Sequence, residues 1–313
     1  MARLALVVPT LVGILLVTFV LVHLAPGDPA LARAGDGRGV TAESLAAFRH
    51  DAGLDRPFGE RLLRWTAKAA RLDFGRSLVD GQPVRARLGE ALPSTLALGA
   101  LAAALAVLLF VPLGALLGVA ADGGTTLPRA ARALLATVGA GLVVAWAIPV
   151  SAVGLGALAL GAPYGRGLGP LLSGAACLAL PLGVRLARHQ RAALVAALAA
   201  DHARTARAVG AGPLRVAFRH ALPLALLPLV TLLGSELPIL LSGSVLVEQI
   251  FGLRGLGALG LDAVAQRDYP TLLGLAALSA LLVLAGTLAA DATYRLVDPR
   301  LRRAGADGRG ASG

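Results

Sequence analysis

Residues 91–121 read ALPSTLALGALAAALAVLLFVPLGALLGVAA, 31 consecutive positions without a charged side chain. A helix needs about 20 apolar residues to cross roughly 30 Å of hydrocarbon, so this stretch alone is long enough to span a bilayer. Five further runs share the pattern: Leu4–Gly27, Ala133–Gly165, Gly167–Val184, Ala221–Val247 with Glu236 as its only charge, and Tyr269–Ala290. They predict an all-α, polytopic membrane protein with six transmembrane helices. The runs are continuous and rich in Leu and Ala, whereas barrel strands alternate apolar and polar residues over about ten positions. The third run is long and interrupted by Gly and Pro, which predicts a span followed by a short excursion.

The whole chain agrees with these runs. Of 313 residues, 57% are hydrophobic and 15% charged, against about a quarter charged in soluble proteins. The net charge of +11 would suit a nucleic-acid partner, but the Arg residues sit between long uncharged runs and only 4% of residues are aromatic, too few for base stacking. The charge is therefore read as topology. A lone cysteine, Cys177, rules out a disulfide framework or a Cys-based zinc site within one chain. The first run exceeds a signal-peptide core in length and ends without a clear cleavage site, so it is read as a retained helix.

Six spans put both termini on one side. The terminal-side segments hold 15 Arg, whereas the short loops opposite hold only Arg166, Arg254 and Arg267, so the termini are expected in the cytoplasm. The long first loop, about Ala25–Glu90, then lies outside. Thr41 opens one short helix through Ala52, and Asp55 with Pro57 opens another, in which Phe58, Leu62, Trp65, Ala69 and Leu72 recur at helical spacing. That stripe suits packing against the protein's own outer face or a platform for an extracytoplasmic partner. The domain organisation expected is 1–90, first span and outer loop; 91–292, a five-helix core including a cytoplasmic coupling loop over 185–220; and 293–313, a cytoplasmic tail.

The segment Arg185–His220 carries seven Arg and one acid, Asp201. Its Gly210, Gly212 and Pro213 end a short helix from about Asp201 to Val209. Asp201 suits the N-terminus of that helix, and Arg204 and Arg207 lie nearer its C-terminal end, as the macrodipole favours. A compact, positively charged helix of this kind has the form of a docking knob. Arg204-Thr205-Ala206-Arg207-Ala208-Val209-Gly210, nine residues, then His220-Ala221-Leu222-Pro223 resembles the cytoplasmic loop of ABC-transporter permeases, E-A-A-x-x-x-G-x9-I-x-L-P, with Arg204 in place of Glu and His220 in place of Ile. The local form is similar to the dipeptide/oligopeptide permease branch. So are Leu24-Ala25-Pro26-Gly27-Asp28-Pro29, Phe74-Gly75-Arg76-Ser77-Leu78, Arg267-Asp268-Tyr269-Pro270 and Asp298-Pro299-Arg300, which follow the branch in order along nearly the whole chain. One departure is Arg254, where the branch commonly carries Pro before the Gly.

The resemblance implies the ABC importer permease fold and an inner-membrane subunit of a binding-protein-dependent importer. Its implied partners are a second permease subunit, two ATP-binding subunits and an extracytoplasmic solute-binding protein. It also implies that Asp201, Arg204, Thr205, Ala206, Arg207 and Gly210 form the helix on which an ATPase subunit docks. No G-x-x-x-x-G-K-[ST] loop occurs, so ATP hydrolysis belongs to a partner and the chain is not itself an enzyme. Gly255-x-Gly257-x-x-Gly260 matches a dinucleotide fingerprint but lacks the βαβ unit the fingerprint needs, and no cofactor is expected. Neither H-E-x-x-H nor G-x-S-x-G is present.

Within the spans, Gly114 and Gly118 form a G-x-x-x-G pair suited to close helix contact. Glu236 is costly in a membrane and should face the bundle or a cavity. It either lines the path, with Ser235, Ser242 and Ser244 nearby, or bonds one helix to another. Peptides are the expected solutes, with a metal chelate or an oligosaccharide as alternatives. A stand-alone secondary transporter is disfavoured because no internal repeat is seen.

Overall fold

The computed structural model describes residues 2–24, 43, 55–69, 71, 73–122 and 127–297, without the side chains of 2–8, 21–24, 58, 231, 235, 237–243 and 289–297. Apart from Glu43, the expected Thr41–Ala52 helix lies outside this set, as do residues 25–29 and the Asp298-Pro299-Arg300 segment. Among the described residues there is no strand, only an isolated antiparallel bridge between Arg76 and Pro83. The helices are α1 (Ala2–Leu24), α2 (Phe58–Ala69), α3 (Val84–Leu105), α4 (Val111–Ala121), α5 (Arg129–Ala147), α6 (Val150–Ala159), α7 (Leu168–Ala199), α8 (Asp201–Ala208), α9 (Leu222–Phe251), α10 (Leu256–Ala265) and α11 (Tyr269–Val297). Among the described residues, five stretches are long and apolar enough to cross a membrane: Val84–Ala121, Arg129–Ala147, Leu168–Ala199, Pro213–Gly234 and Tyr269–Leu288. The 23-residue α1, apolar over Pro9–Val20, accompanies them.

Prolines punctuate the helices as their chemistry requires. A Pro lacks the N–H donor and its ring crowds the carbonyl four residues earlier. Pro112 and Pro223 are each preceded by a widened π-helical turn, Ala106–Phe110 and Val216–Ala221, which relieves that clash without ending the helix. Pro149 acts differently: Ile148 before it is extended, and the predicted third span divides into α5 and the shorter α6.

The chain forms two compact units, Met1–Leu96 with Leu253–Leu284, and Ala97–Gly252 with Ala285–Gly313. In the first, Ala69, Phe74, Val84, Leu88, Ala91, Leu256 and Ala277 make a buried cluster, with Trp65 and Leu15 packed on it. Trp65 and Ala69 of the α2 stripe thus turn inward, and the Trp65 ring lies 5.8 Å from that of Phe19 on α1.

In the second unit α7 is the central helix, flanked chiefly by α4 and α9. The glycine pair is what lets α4 approach. A Cβ on Gly114 would lie 2.5 Å from the Ala187 carbonyl oxygen, and one on Gly118 would meet Leu194 at 3.0 Å. Because the Gly114 clash is with backbone, Gly114→Leu should force α4 and α7 apart at a cost of about 3 kcal/mol. The check is the melting temperature of the purified protein in detergent, which should fall by several degrees; an unchanged value would contradict this packing.

The structure departs from the sequence reading at two charges. Arg185 ends the uncharged run but not the helix, because the Ala-, Leu- and Arg-rich residues that follow are good helix formers and α7 continues to Ala199. The connection between spans is therefore shorter than 185–220. Nor is Glu236 alone: α9 runs on to Phe251 and includes the fully buried Glu248.

Candidate functional site

The segment after α7 builds a short helix held firmly from below. Asp201 is the first residue of α8, Ala203 and Ala206 are buried, and both pack in a cluster with Leu194, Leu198, Val216, Ala217 and Ala221. Ala206 thus seats the helix and does not belong to its open face. Thr205 is turned back along the helix, its Oγ1 donating to the Asp201 carbonyl at 2.9 Å. Asp201 and Arg204 are largely exposed and 3.5 Å apart, an ion pair of small energetic consequence in water.

Arg207 also makes a contact within the chain. It reaches across to Asp122, the capping residue of α4, at 3.3 Å. A carboxylate at a helix C-terminus is disfavoured by the macrodipole, and the guanidinium offsets it while tying α8 to α4. Past the helix, Gly210 takes φ +83°, a left-handed turn that an L side chain rarely adopts. A Cβ there would meet no described residue within 4 Å, so the requirement is conformational. Val209, Leu214 and Phe218 stand exposed around that turn, an apolar complement to Arg204.

Glu236, on α9, is 4% exposed and accepts a hydrogen bond from Nη2 of Arg185 on α7. This joins two helices that pack extensively on each other. Ser244 is buried further along α9, whereas the side chains of Ser235 and Ser242 are outside the described set. Glu236 and Ser244 are thus placed in the bundle, with Glu236 engaged by an arginine that hydropathy alone assigned to a loop.

Two of the quoted motifs meet in the other unit. The Asp268 carboxylate, fully buried, accepts from Ser77 Oγ at 2.6 Å, the Leu78 amide at 3.0 Å, Arg87 at 2.8 Å and Thr271 Oγ1 at 2.6 Å. Arg267, with φ +54°, makes the left-handed bend that delivers Asp268 there, at about 1 kcal/mol for a non-glycine residue. Nearby, burial opposes ionisation of Asp80, but the Gln82 amide, Ser77 and Arg87 outweigh it and hold the carboxyl below its ordinary value. Its contribution to stability is present above the ordinary value and is lost as pH falls through the depressed one.

Asp268→Ala would leave the part-buried Arg87 with only its longer ion pair to Asp80 and take the acceptor from two hydroxyls, at about 2–3 kcal/mol. Limited trypsin digestion of the membrane-embedded protein should then cut at Arg76, Arg85 or Arg87 at least about tenfold faster. An unchanged digestion rate would show that the node does not hold the segment.

Arg254, the departure from the branch's Pro, is exposed. The turn is made by Gly252 at φ +69°, where a Cβ would also strike the Tyr164 ring at 2.6 Å, and Arg254 needs no special conformation.

A set of long apolar helices with a short polar helix seated between two of them defines a multi-pass membrane protein of the permease type. The profile of the family described as "Binding-protein-dependent transport system inner membrane component" matches residues 142–303. The oligopeptide transport system permease protein AppB of Bacillus subtilis is 34% identical over 308 residues, covering 94% of this chain and 96% of that one. The dipeptide transport system permease protein DppB of Escherichia coli is 31% identical, with 96% and 97% covered. The chain belongs to this family of transport-system inner membrane components. Among solved structures, a chain of the MetNI methionine ABC transporter in an inward-facing conformation shares the fold. Its TM-score is 0.58 at 23% identity, over 68% of this chain and 96% of that one.

Proposed function

We propose that this chain is the membrane-spanning permease subunit of an ATP-driven importer of peptides. The observation that carries the reading is α8: an exposed helix seated by Ala203 and Ala206 and released at Gly210, in a chain whose relatives are permease proteins of peptide transport systems. Those relatives favour peptides over a metal chelate or an oligosaccharide. The ATP-hydrolysing subunit bears on Arg204, Val209 and the exposed residues around Gly210. A second permease subunit completes the path, and an extracytoplasmic binding protein delivers the solute.

Mechanically, closure of the motor pair pushes α8. Its buried alanines press on the α7 end and Arg207 pulls on Asp122 at the α4 end, so both spans move with it. The bundle then exchanges an inward-open for an outward-open state. The test is affinity purification of the tagged chain from detergent: an ATP-binding subunit should come with it and should be lost when residues 201–210 are replaced by a Gly/Ser linker. Retention of the subunit by the replaced chain would refute the docking role.

The same reading puts α8 and both termini in the cytoplasm, on the Arg imbalance. In a Cys177→Ala background, single cysteines at Gly35, Gly212 and Gly305 should react with an impermeant thiol reagent in intact cells only at Gly35. Labelling of Gly305→Cys before lysis would reverse the orientation.

A further inference from the structure

The Arg185–Glu236 contact fixes the level of α7 in the bundle. Glu236 lies fourteen residues past Leu222, the start of α9, about 21 Å along its axis. Gly114, packed on Ala187, lies seven residues before the end of α4, about 10 Å. Arg185 and Arg188 therefore run alongside uncharged parts of α4 and α9, not beyond them. Charged side chains at such a level do not face lipid; they face the bundle, a water-filled cavity or a partner.

The open face of α7 is consistent in composition. Arg188, His189, Ala192 and Ala196 are exposed, follow Arg185 at helical spacing, and have Arg191 at their edge. On the opposite face Leu186, Ala187, Gln190 and Leu194 are buried. Glu236 neutralises Arg185, whose Nε is nonetheless buried without a hydrogen-bond partner. Arg188 stacks over Trp146 on α5 at 6.0 Å, which orients the guanidinium but does not neutralise it. Neither Arg188 nor Arg191 has an ion pair among the described residues. The face is thus pre-oriented, has spare donors, and is net positive.

Resting on the peptide-permease reading, we propose that this face of α7 is a wall of the translocation path. There Arg188 holds the carboxylate end of the solute, with the half-buried Arg185 beside it. A guanidinium presents several N–H donors in a planar fork that matches a carboxylate, and one kept partly desolvated binds it more strongly than one in water. Glu236 then acts on specificity only through Arg185, by orienting it. It does not itself receive the solute's amino group.

The test uses the assembled complex in inverted membrane vesicles, with Ala192→Cys in the Cys177→Ala background, which leaves every arginine in place. Two methanethiosulfonates of similar size are compared, one carrying a sulfonate and one a trimethylammonium, each normalised to its rate with a free thiol. The anionic reagent should react about tenfold faster, Arg188→Gln should abolish most of that preference, and trialanine should slow labelling where trialanine amide does not. No labelling by either reagent, which means a face covered by protein or lipid, would overturn the proposal. Equal rates for the two reagents, or equal slowing by both peptides, would do the same. ATP-dependent trialanine uptake by intact cells carrying the Cys177→Ala parent is measured first: its absence counts against the peptide-permease reading, whereas uptake without anionic preference counts against the α7 site alone.

Discussion

Gly210→Leu is expected to reduce solute uptake at least about tenfold while the chain still inserts and assembles. The left-handed φ of +83° costs a non-glycine residue about 1–2 kcal/mol, and relaxing it would rotate the exit from α8. No described residue lies within 4 Å of a Cβ at this position, so the folded bundle has no reason to collapse. The apolar surface made by Val209, Leu214 and Phe218 would instead be re-aimed at the docking partner. Such a lesion separates two activities: ATP hydrolysis by the assembled complex should persist in part, uncoupled from transport. Uptake equal to the parent at equal expression would remove α8 from the coupling path.

Glu236→Leu should have the second large effect, on a different quantity. It leaves the half-buried Arg185 without its counter-charge, a lesion of about 2–3 kcal/mol, less than for a fully buried pair because the guanidinium is 32% exposed. The yield of assembled complex should fall severalfold, and a second change, Arg185→Met, should restore much of it, since replacing both charges by apolar groups is tolerated. Glu236→Gln keeps a hydrogen-bond acceptor for Arg185, so assembly and uptake should remain within a few-fold of the parent. If Glu236→Gln assembles normally and yet loses transport, the carboxylate recognises the solute directly and the bridging role is wrong. Failure of Arg185→Met to rescue assembly would break the pairing itself.

The legible features were those written in local chemistry. Long uncharged runs announced the spans, Gly114 and Gly118 the close helix contact, and Gly210 with Pro213 the end of α8. Residues distant in sequence were less legible. Phe74–Leu78 and Arg267–Pro270 were each distinctive, but nothing in either foretold that Asp268 would collect Ser77 across 191 positions. The same holds for Arg207 and Asp122, 85 positions apart. Arg185 shows a systematic weakness of hydropathy: the first charge after an apolar run marks where uncharged sequence stops, whereas a helix stops only when its backbone is capped. An i, i+3, i+4 reading of Arg185, Arg188 and His189 would have shown the cationic face. Glu248, one residue beyond the predicted end of its span, escaped for the same reason.

The most direct measurement is uptake by a reconstituted complex. Proteoliposomes containing this chain, its partner permease and the ATP-binding subunits are incubated with the solute-binding protein and a radiolabelled tripeptide. ATP is supplied on the side that α8 faces. The prediction is accumulation of peptide on the ATP side against its gradient, abolished by omitting ATP, the binding protein or this chain. Accumulation that continues without ATP, or a complex that hydrolyses ATP and moves another solute but no peptide, would contradict it.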